Sequence, residues 1–266
     1  MGIVEAVILG LTQGLTEFLP ISSSAHLRLV PEAMGWDDPG ASFTAVVQLG
    51  TIAAVLLAFR RELISVVVAG WRGARDRQAR EGPAWRMAVA MLAGTIPIVV
   101  VGVLAADLVD GPFRGLGAIA VALLAGSAWL VVALRGPRGH RLAEDLSLRQ
   151  IGAVGLAQTA ALVPGVSRSG ATIGAGLLLG LDASEAARFS VLLSVPAIVL
   201  AGAYGLRDLG TATSLVATSV AVVVAFISGY ASIRLLLRLA ASRQLGGFAI
   251  YRTALAVVIL VVLAIR

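Results

Sequence analysis

Long uncharged apolar runs separated by short polar stretches dominate the chain, and their lengths predict its elements. A helix crossing a hydrocarbon core of about 30 Å needs about 20 residues, slightly fewer where interfacial anchors help. Residues 43–59, 87–106, 115–134, 189–206 and 209–233 meet this without one charge. A sixth run, 248–265, carries Arg252 four residues in, close enough to its end to snorkel to an interface. Two further apolar regions, 3–30 and 150–181, are each broken by proline and a hydroxyl cluster. They predict paired half-helices that dip in and turn back, a backbone tolerated at that depth only inside protein or beside a cavity.

The two broken regions are alike. Gly10-Leu11-Thr12-Gln13 matches Gly155-Leu156-Ala157-Gln158 at an offset of 145, and Pro20 with Ser23 matches Pro164 with Ser167 at 144, one residue being lost between. Each is followed by an early phenylalanine in the next span, Phe43 and Phe189. The expected fold is therefore all-α: a polytopic membrane protein of six transmembrane helices plus two re-entrant helix pairs. Its halves are 1–134 and 150–266, joined by a polar linker at 135–149. An odd number of spans per half makes this an inverted-topology repeat, whose copies meet at a midplane site.

Composition removes the soluble alternatives. Hydrophobic residues make up 58% and charged ones 14%, with a mean hydropathy of +0.93, which excludes a soluble binding module and with it a nucleic-acid one. There is no cysteine, hence no disulfide or thiolate metal site. The net charge of +6 arises from arginine alone, lysine being absent, and in such a chain it sets topology. Most arginines fall in the loops after residues 59, 134 and 233 and at the adjoining helix ends, so that side is expected to be cytoplasmic and both termini to face outward. The cluster Arg72 to Arg80 reads as a solvated loop. Met1 to Glu5 lack the basic flank of a removable signal peptide, and no cleavage is expected.

The candidate chemistry starts from Pro164-Gly165-Val166-Ser167-Arg168-Ser169-Gly170-Ala171-Thr172. Arg168 is the only charge between residues 150 and 181. A guanidinium at membrane depth costs about 2.5 to 3.5 kcal/mol on insertion scales, so it calls for a partner. Pro164 and Gly165 break the incoming helix. Ser167, Ser169 and Thr172 then supply hydroxyls and a cap to the next one, whose free N–H groups favour phosphate. The first broken region offers Gln13 and Glu17 on one helix face, then Ser22, Ser23 and Ser24 after Pro20, then His26. Glu17 must face Arg168, a metal or a polar cavity. Together these make a hydroxyl-rich, positively biased cup with one acid and one imidazole, the set that phosphoryl chemistry needs. Gln48 reads as a hydrogen-bonder between helices, and Gly94, Gly102 and Gly126 as close-packing positions.

These residues resemble the undecaprenyl-diphosphatase family, also called the bacitracin resistance protein family. Gln13-x-x-x-Glu17 with Phe18-Leu19-Pro20-Ile21-Ser22-Ser23-Ser24-Ala25-His26 is similar to its first signature, and Pro164 to Thr172 to its second. Gln48-Leu49-Gly50 and Phe248-Ala249-Ile250-Tyr251-Arg252 extend the likeness over nearly the whole chain. The resemblance implies a bacterial inner-membrane hydrolase, its active site opening to the outer face. It would convert undecaprenyl diphosphate to the monophosphate and phosphate, recycle the lipid carrier of peptidoglycan synthesis, and confer bacitracin resistance. On this chain Arg168 would clamp the diphosphate, with Ser22, Ser24, Ser167, Ser169, Thr172 and Gln13 as substrate-binding residues. Ser23 is the favoured nucleophile. His26 would take the serine proton or protonate the leaving oxygen, and Glu17 would orient it, act as base, or bind a divalent cation, Mg or Ca. No organic cofactor is implied. Gln13 stands where many members carry a second glutamate, and an amide cannot act as a base.

Two alternatives stay open from sequence. Attack by water activated by Glu17, without a phosphoserine, fits as well as attack by Ser23. A lipid-phosphate or anion transporter also uses inverted repeats, broken helices and a midplane anion cup. Besides the lipid substrate and the bilayer, a homodimer is entertained as a partner.

Overall fold

A computed structural model describes residues 1–106, 108, 111–137, 139–205 and 214–265, the side chains of residues 41, 42, 204 and 205 excepted. Residue 206, residues 209–213 of the fifth predicted span, and Arg138, Arg207 and Arg266 lie outside the described residues. Among the described residues the chain is all-helical, with eleven α-helices, short 3-10 turns and no strand. They are α1 (Ile3–Glu17), α2 (Ser23–Met34), α3 (Gly40–Ala58), α4 (Arg60–Arg75), α5 (Pro83–Leu104), α6 (Leu116–Arg135), α7 (Leu148–Thr159), α8 (Arg168–Leu178), α9 (Ala183–Gly205), α10 (Leu215–Ala241) and α11 (Gly246–Ile265).

Helices α5, α6, α9, α10 and α11 are long and apolar enough to cross a membrane. The apolar stretch of α3, Phe43–Ala58, is shorter. The chain is thus a polytopic membrane protein. Local signals set the helix ends. Pro83 opens α5, where its missing N–H costs nothing. Ser147 forms a reciprocal capping box with Gln150 at the start of α7, and Ser214 accepts from the Ala217 N–H at the start of α10.

Both broken regions fold as two short helices that pack on each other across a tight turn, α1 on α2 and α7 on α8. At 15, 12, 12 and 11 residues these helices are too short to span. The turns share an unusual backbone. Ser22 sits at φ 72° and Ser167 at φ 71°, where a Cβ is normally disfavoured, and each caps the helix that follows. The backbone therefore pairs Ser22 with Ser167 at an offset of 145, correcting the pairing of Ser23 with Ser167; no residue is lost between the regions. Gly35 and Gly180, ending α2 and α8 with φ of 69° and 86°, keep the same offset.

Packing follows that correspondence. Helix α1 lies against α10, and α7 against α5. A Cβ at Gly10 would fall 2.5 Å from the Ala221 carbonyl oxygen, and one at Gly155 2.6 Å from that of Gly94. In both pairs glycine lets two backbones meet, as in membrane helix packing generally. Span α3 packs on α9 and α6 on α11. Phe18, Leu63, Met91, Ile173, Phe189, Leu192 and Leu236 form the central core between them. Gly126 is tightly packed as expected, but against the Arg252 guanidinium, while a Cβ at Gly102 would make only an ordinary contact with Leu162.

The arginine-rich stretch after α3 differs from expectation. Residues 60–75 form a helix, and Arg72 and Arg75 belong to it rather than to a loop. Leu63 and Val66 face the protein while Ile64, Val67 and Trp71 are exposed. Arg188 of α9 pairs with Glu62 of α4, Glu144 of the 135–149 linker and Glu185 of its own helix, which draws α4 and the linker to the start of α9. At the other end Arg114 makes a bidentate contact with Asp38, and Arg28 lies 3.6 Å from the same carboxylate.

Candidate active site

The two turns meet back to back and are sewn together. Ser22 Oγ accepts from the Gly165 N–H at 3.0 Å, and Ser169 Oγ donates to the Leu19 carbonyl at 3.0 Å. With the turns fixed, α1 delivers its last residue, Glu17, and α2 and α8 their first, Ser23 and Arg168, to one point. Arg168 Nη2 donates to Glu17 Oε1 at 3.0 Å. Ser23 Oγ donates to Glu17 Oε2 at 2.6 Å, and Gln13 Nε2 donates to the same oxygen at 2.7 Å. Arg168 Nη1 has no hydrogen-bond partner among the described residues.

These groups line a cavity of about 160 Å³ with Ser22, Ser23, Ser24, Ser167 and Gln48 on its polar wall and Ile98, Ala161, Ala197, Ile198 and Ala201 on its apolar one. Glu17 is its only carboxylate among the described residues. The arrangement holds a carboxylate ready to take a proton from a serine hydroxyl, with a free guanidinium donor beside it and two helix starts aimed at the same volume.

Of the ten residues singled out from sequence, Glu17, Ser22, Ser23, Ser24, Ser167 and Arg168 line the cavity, and Gln13 stands directly behind Glu17. The other three lie behind the wall. His26 is turned away from Ser23: its Nδ1 donates to the Ser22 carbonyl at 2.8 Å and its Nε2 accepts from Tyr251 Oη at 2.7 Å. Ser169 is bound to the first turn, and Thr172 Oγ1 shares a 2.7 Å hydrogen bond with Ser190 Oγ. Gln48, read as a helix-to-helix group, reaches the cavity instead. Arg252 does not snorkel. It is fully buried, with Nη2 donating to the Gly165 and Val166 carbonyls at 2.9 and 2.8 Å and Nη1 to that of Pro20 at 3.4 Å.

Among the described residues no cluster of three metal-ligating side chains occurs. A hard divalent ion needs only one or two carboxylates when phosphate oxygens complete its shell. Glu17 would be its single protein ligand.

Similar proteins match this chain over nearly its whole length. The chain is 46% identical over 270 residues to undecaprenyl-diphosphatase 2 of Frankia casuarinae, covering 96% of this chain and 92% of that one. It is 47% identical to an undecaprenyl-diphosphatase of Kineococcus radiotolerans, covering 97% and 93%, and 44% identical to one of Myxococcus xanthus, covering 99% and 90%. Residues 6–258 match the family described as bacitracin resistance protein BacA, and with both signature turns forming one cavity the chain belongs to that family.

Proposed function

We propose that this chain hydrolyses undecaprenyl diphosphate to undecaprenyl phosphate and phosphate, recycling the lipid carrier and so conferring bacitracin resistance. The observation that carries the reading is the 2.6 Å hydrogen bond from Ser23 Oγ to Glu17, with Arg168, whose buried Nη1 has no partner among the described residues, lining the same cavity. It favours a serine nucleophile over direct attack by water. Arg168 and the amides at the starts of α2 and α8 hold the terminal phosphate. Ser23 Oγ attacks its phosphorus, the bond to the bridging oxygen breaks, undecaprenyl phosphate leaves as an anion, and Glu17 takes the serine proton. Glu17 releases that proton to solvent as the lipid phosphate departs; water then attacks the phosphoserine, Glu17 accepts a proton from that water and returns it to the serine oxygen as the P–Oγ bond breaks, and phosphate departs. Magnesium or calcium entering on the diphosphate would neutralise charge beside Glu17. Chelation is expected to lower kcat/KM at least tenfold, with either ion restoring it.

The finer architecture is six spans, α3 being the sixth, and two re-entrant pairs in two inverted halves. Its support is the constant offset of 145 from Gly10 through Gly35 and the matched packing of α1 on α10 and α7 on α5. With the arginine-rich end inside, α5 and α9 run outward and α3 inward. The cavity is lined by Ile98, Ala197, Ala201 and Gln48, all toward the outer ends of those helices, which favours an opening to the outer face.

The test is phosphate release from undecaprenyl diphosphate by purified protein, with phosphate trapped on the enzyme by acid quench. Wild type is expected to release phosphate and to carry label on Ser23, and Ser23→Ala to do neither. Binding of the lipid without release under any metal condition would replace the phosphatase with the transporter, and release without label would restore the direct-water route.

A further inference from the structure

Arg252 poses a physical problem that the chemistry above does not use. It is a fully buried guanidinium that forms no ion pair among the described residues. A buried charge without a counter-ion is expensive, so its hydrogen bonds must answer a larger need. All three acceptors are turn carbonyls, Pro20 from the first turn and Gly165 and Val166 from the second. Such carbonyls have no helical partner, and left bare in an apolar interior each would be unsatisfied. The fork of one arginine serves both turns at once, which the point charge of a lysine cannot do. Its seat is prepared by Gly126 of α6, where a Cβ would lie 1.9 Å from Nη2 and 2.7 Å from the Val166 carbonyl oxygen.

The preceding residue serves the first turn by another route. Tyr251 Oη donates to His26 Nε2, the two rings lie within 7° of coplanar, and His26 Nδ1–H holds the Ser22 carbonyl. Ser22 is one of the two strained serines, and Ser23 follows it. We propose that Tyr251 and Arg252 are positioning residues of α11 that hold the two turns in register, so that Ser23, Glu17 and Arg168 meet. Of the contacts they protect, the 3.0 Å one from Arg168 to Glu17 joins the two turns, and the 2.6 Å one from Ser23 to Glu17 closes the first. A misplacement of about 1 Å at such a point costs about 10²-fold in rate.

This inference rests on the phosphatase reading, and the experiment separates the two. Phosphate release is measured for the full chain as wild type, Arg252→Lys, Gly126→Ala and Tyr251→Phe, with kcat and KM resolved. The chain holds two histidines, so a nitrogen-detected imidazole spectrum of a His140→Gln background reports His26 alone. Arg252→Lys and Gly126→Ala are expected to lower kcat about 10- to 100-fold with KM within threefold. Tyr251→Phe, a mild change that leaves the fold in place, is expected to lower kcat about 3- to 10-fold and to shift the His26 Nε2 signal. Variants that melt earlier but keep kcat within twofold would reduce both residues to packing and overturn the proposal, as would an unmoved His26 signal with unchanged kcat in Tyr251→Phe. A wild type that releases no phosphate would sink the phosphatase reading and this inference with it.

Discussion

The two turns at the centre of the molecule have one backbone and two chemistries. Ser22 and Ser167 share φ within a degree, cap helices α2 and α8, and each lies 3.2 Å from the hydroxyl two residues on, Ser24 or Ser169. At the offset of 145, Gln13 answers to Gln158, both fully buried. The reactive positions do not match: Glu17 corresponds to Leu162, Ser23 to Arg168 and His26 to Ala171. One turn carries a carboxylate with a serine hydroxyl bonded to it, the other the guanidinium that pairs with that carboxylate. A duplicated backbone thus supplies two helix starts facing one volume, and side chains then divide the labour between them.

That division predicts the largest difference. On the proposed mechanism Ser23→Ala should lower kcat by about 10³-fold or more, whereas Arg168→Lys, which keeps the charge and loses the fork, should lower it by about 10²-fold and raise KM as well. Steady-state kinetics on the two variants decide it. Equal losses confined to kcat would mean that the cation works only in the transition state and that the first turn is not the sole chemical one.

Next in size is the effect on the turns themselves. An N-cap serine is worth about 1 kcal/mol against alanine. Ser22 Oγ also accepts from the buried Gly165 N–H, and that donor would be left without a partner, adding about 1 to 3 kcal/mol. Ser22→Ala should therefore destabilise more than Ser167→Ala in denaturant titration. At both sites glycine should be milder than alanine, because it adopts positive φ freely. Equal losses at the two serines would show that the cross-turn bond contributes nothing.

How much of this was legible in the sequence follows from what each residue depends on. The spans and the two breaks are visible because they are carried by runs of 17 to 25 residues and by proline within serine clusters. Pairing of Glu17 with Arg168 is also visible, since two isolated opposite charges in apolar surroundings have few other choices. The direction of His26 is not: a helical step of one residue turns it by about 100°, and the positive φ of Ser22 sets where that rotation starts. Arg252 misleads for a related reason. Its partners are backbone carbonyls, which leave no trace in the order of side chains, so nearness to a helix end suggests snorkelling. Helix α4 was legible in principle, for Leu63, Val66 and Gly73 recur on one face, but the density of arginines there masks the period.

A smaller test concerns the matched glycines. Gly10→Ala and Gly155→Ala each press a methyl onto a backbone oxygen of the neighbouring helix, so each should cost about 1 to 3 kcal/mol, and by nearly the same amount. Thermal melts of the two variants in one detergent give the comparison. A difference beyond about 1 kcal/mol would break the equivalence of the α1–α10 and α7–α5 contacts.

The smallest expected effect lies beyond the ends of α2 and α8, where the offset between the aspartates compared slips to 144 and the geometry diverges. After Gly35, Asp38 binds Arg114 from the loop before α6, at 2.6 and 2.7 Å; after Gly180, Asp182 lies 3.8 Å from Arg243, in the loop before α11. Partial burial would raise the Asp38 carboxyl, but the hydrogen bonds and charge of Arg114, the Gly40 N–H and the charge of Arg28 outweigh it, so it sits below its ordinary value of 3.8. A carboxylate held lower in the folded state than in the unfolded chain adds stability at pH values above that ordinary range and loses it as pH falls through the folded value. Because the pair is well exposed to solvent, the contribution is under about 1 kcal/mol. Arg114→Ala should lower the melting temperature at pH 7 by more than Arg243→Ala does, and the gap should close as pH falls through the depressed folded value of Asp38, below which the carboxyl is protonated with or without its arginine. A gap that persists at low pH would mean that Arg114 acts through packing of its stem, and the two loops would then differ in shape rather than in charge.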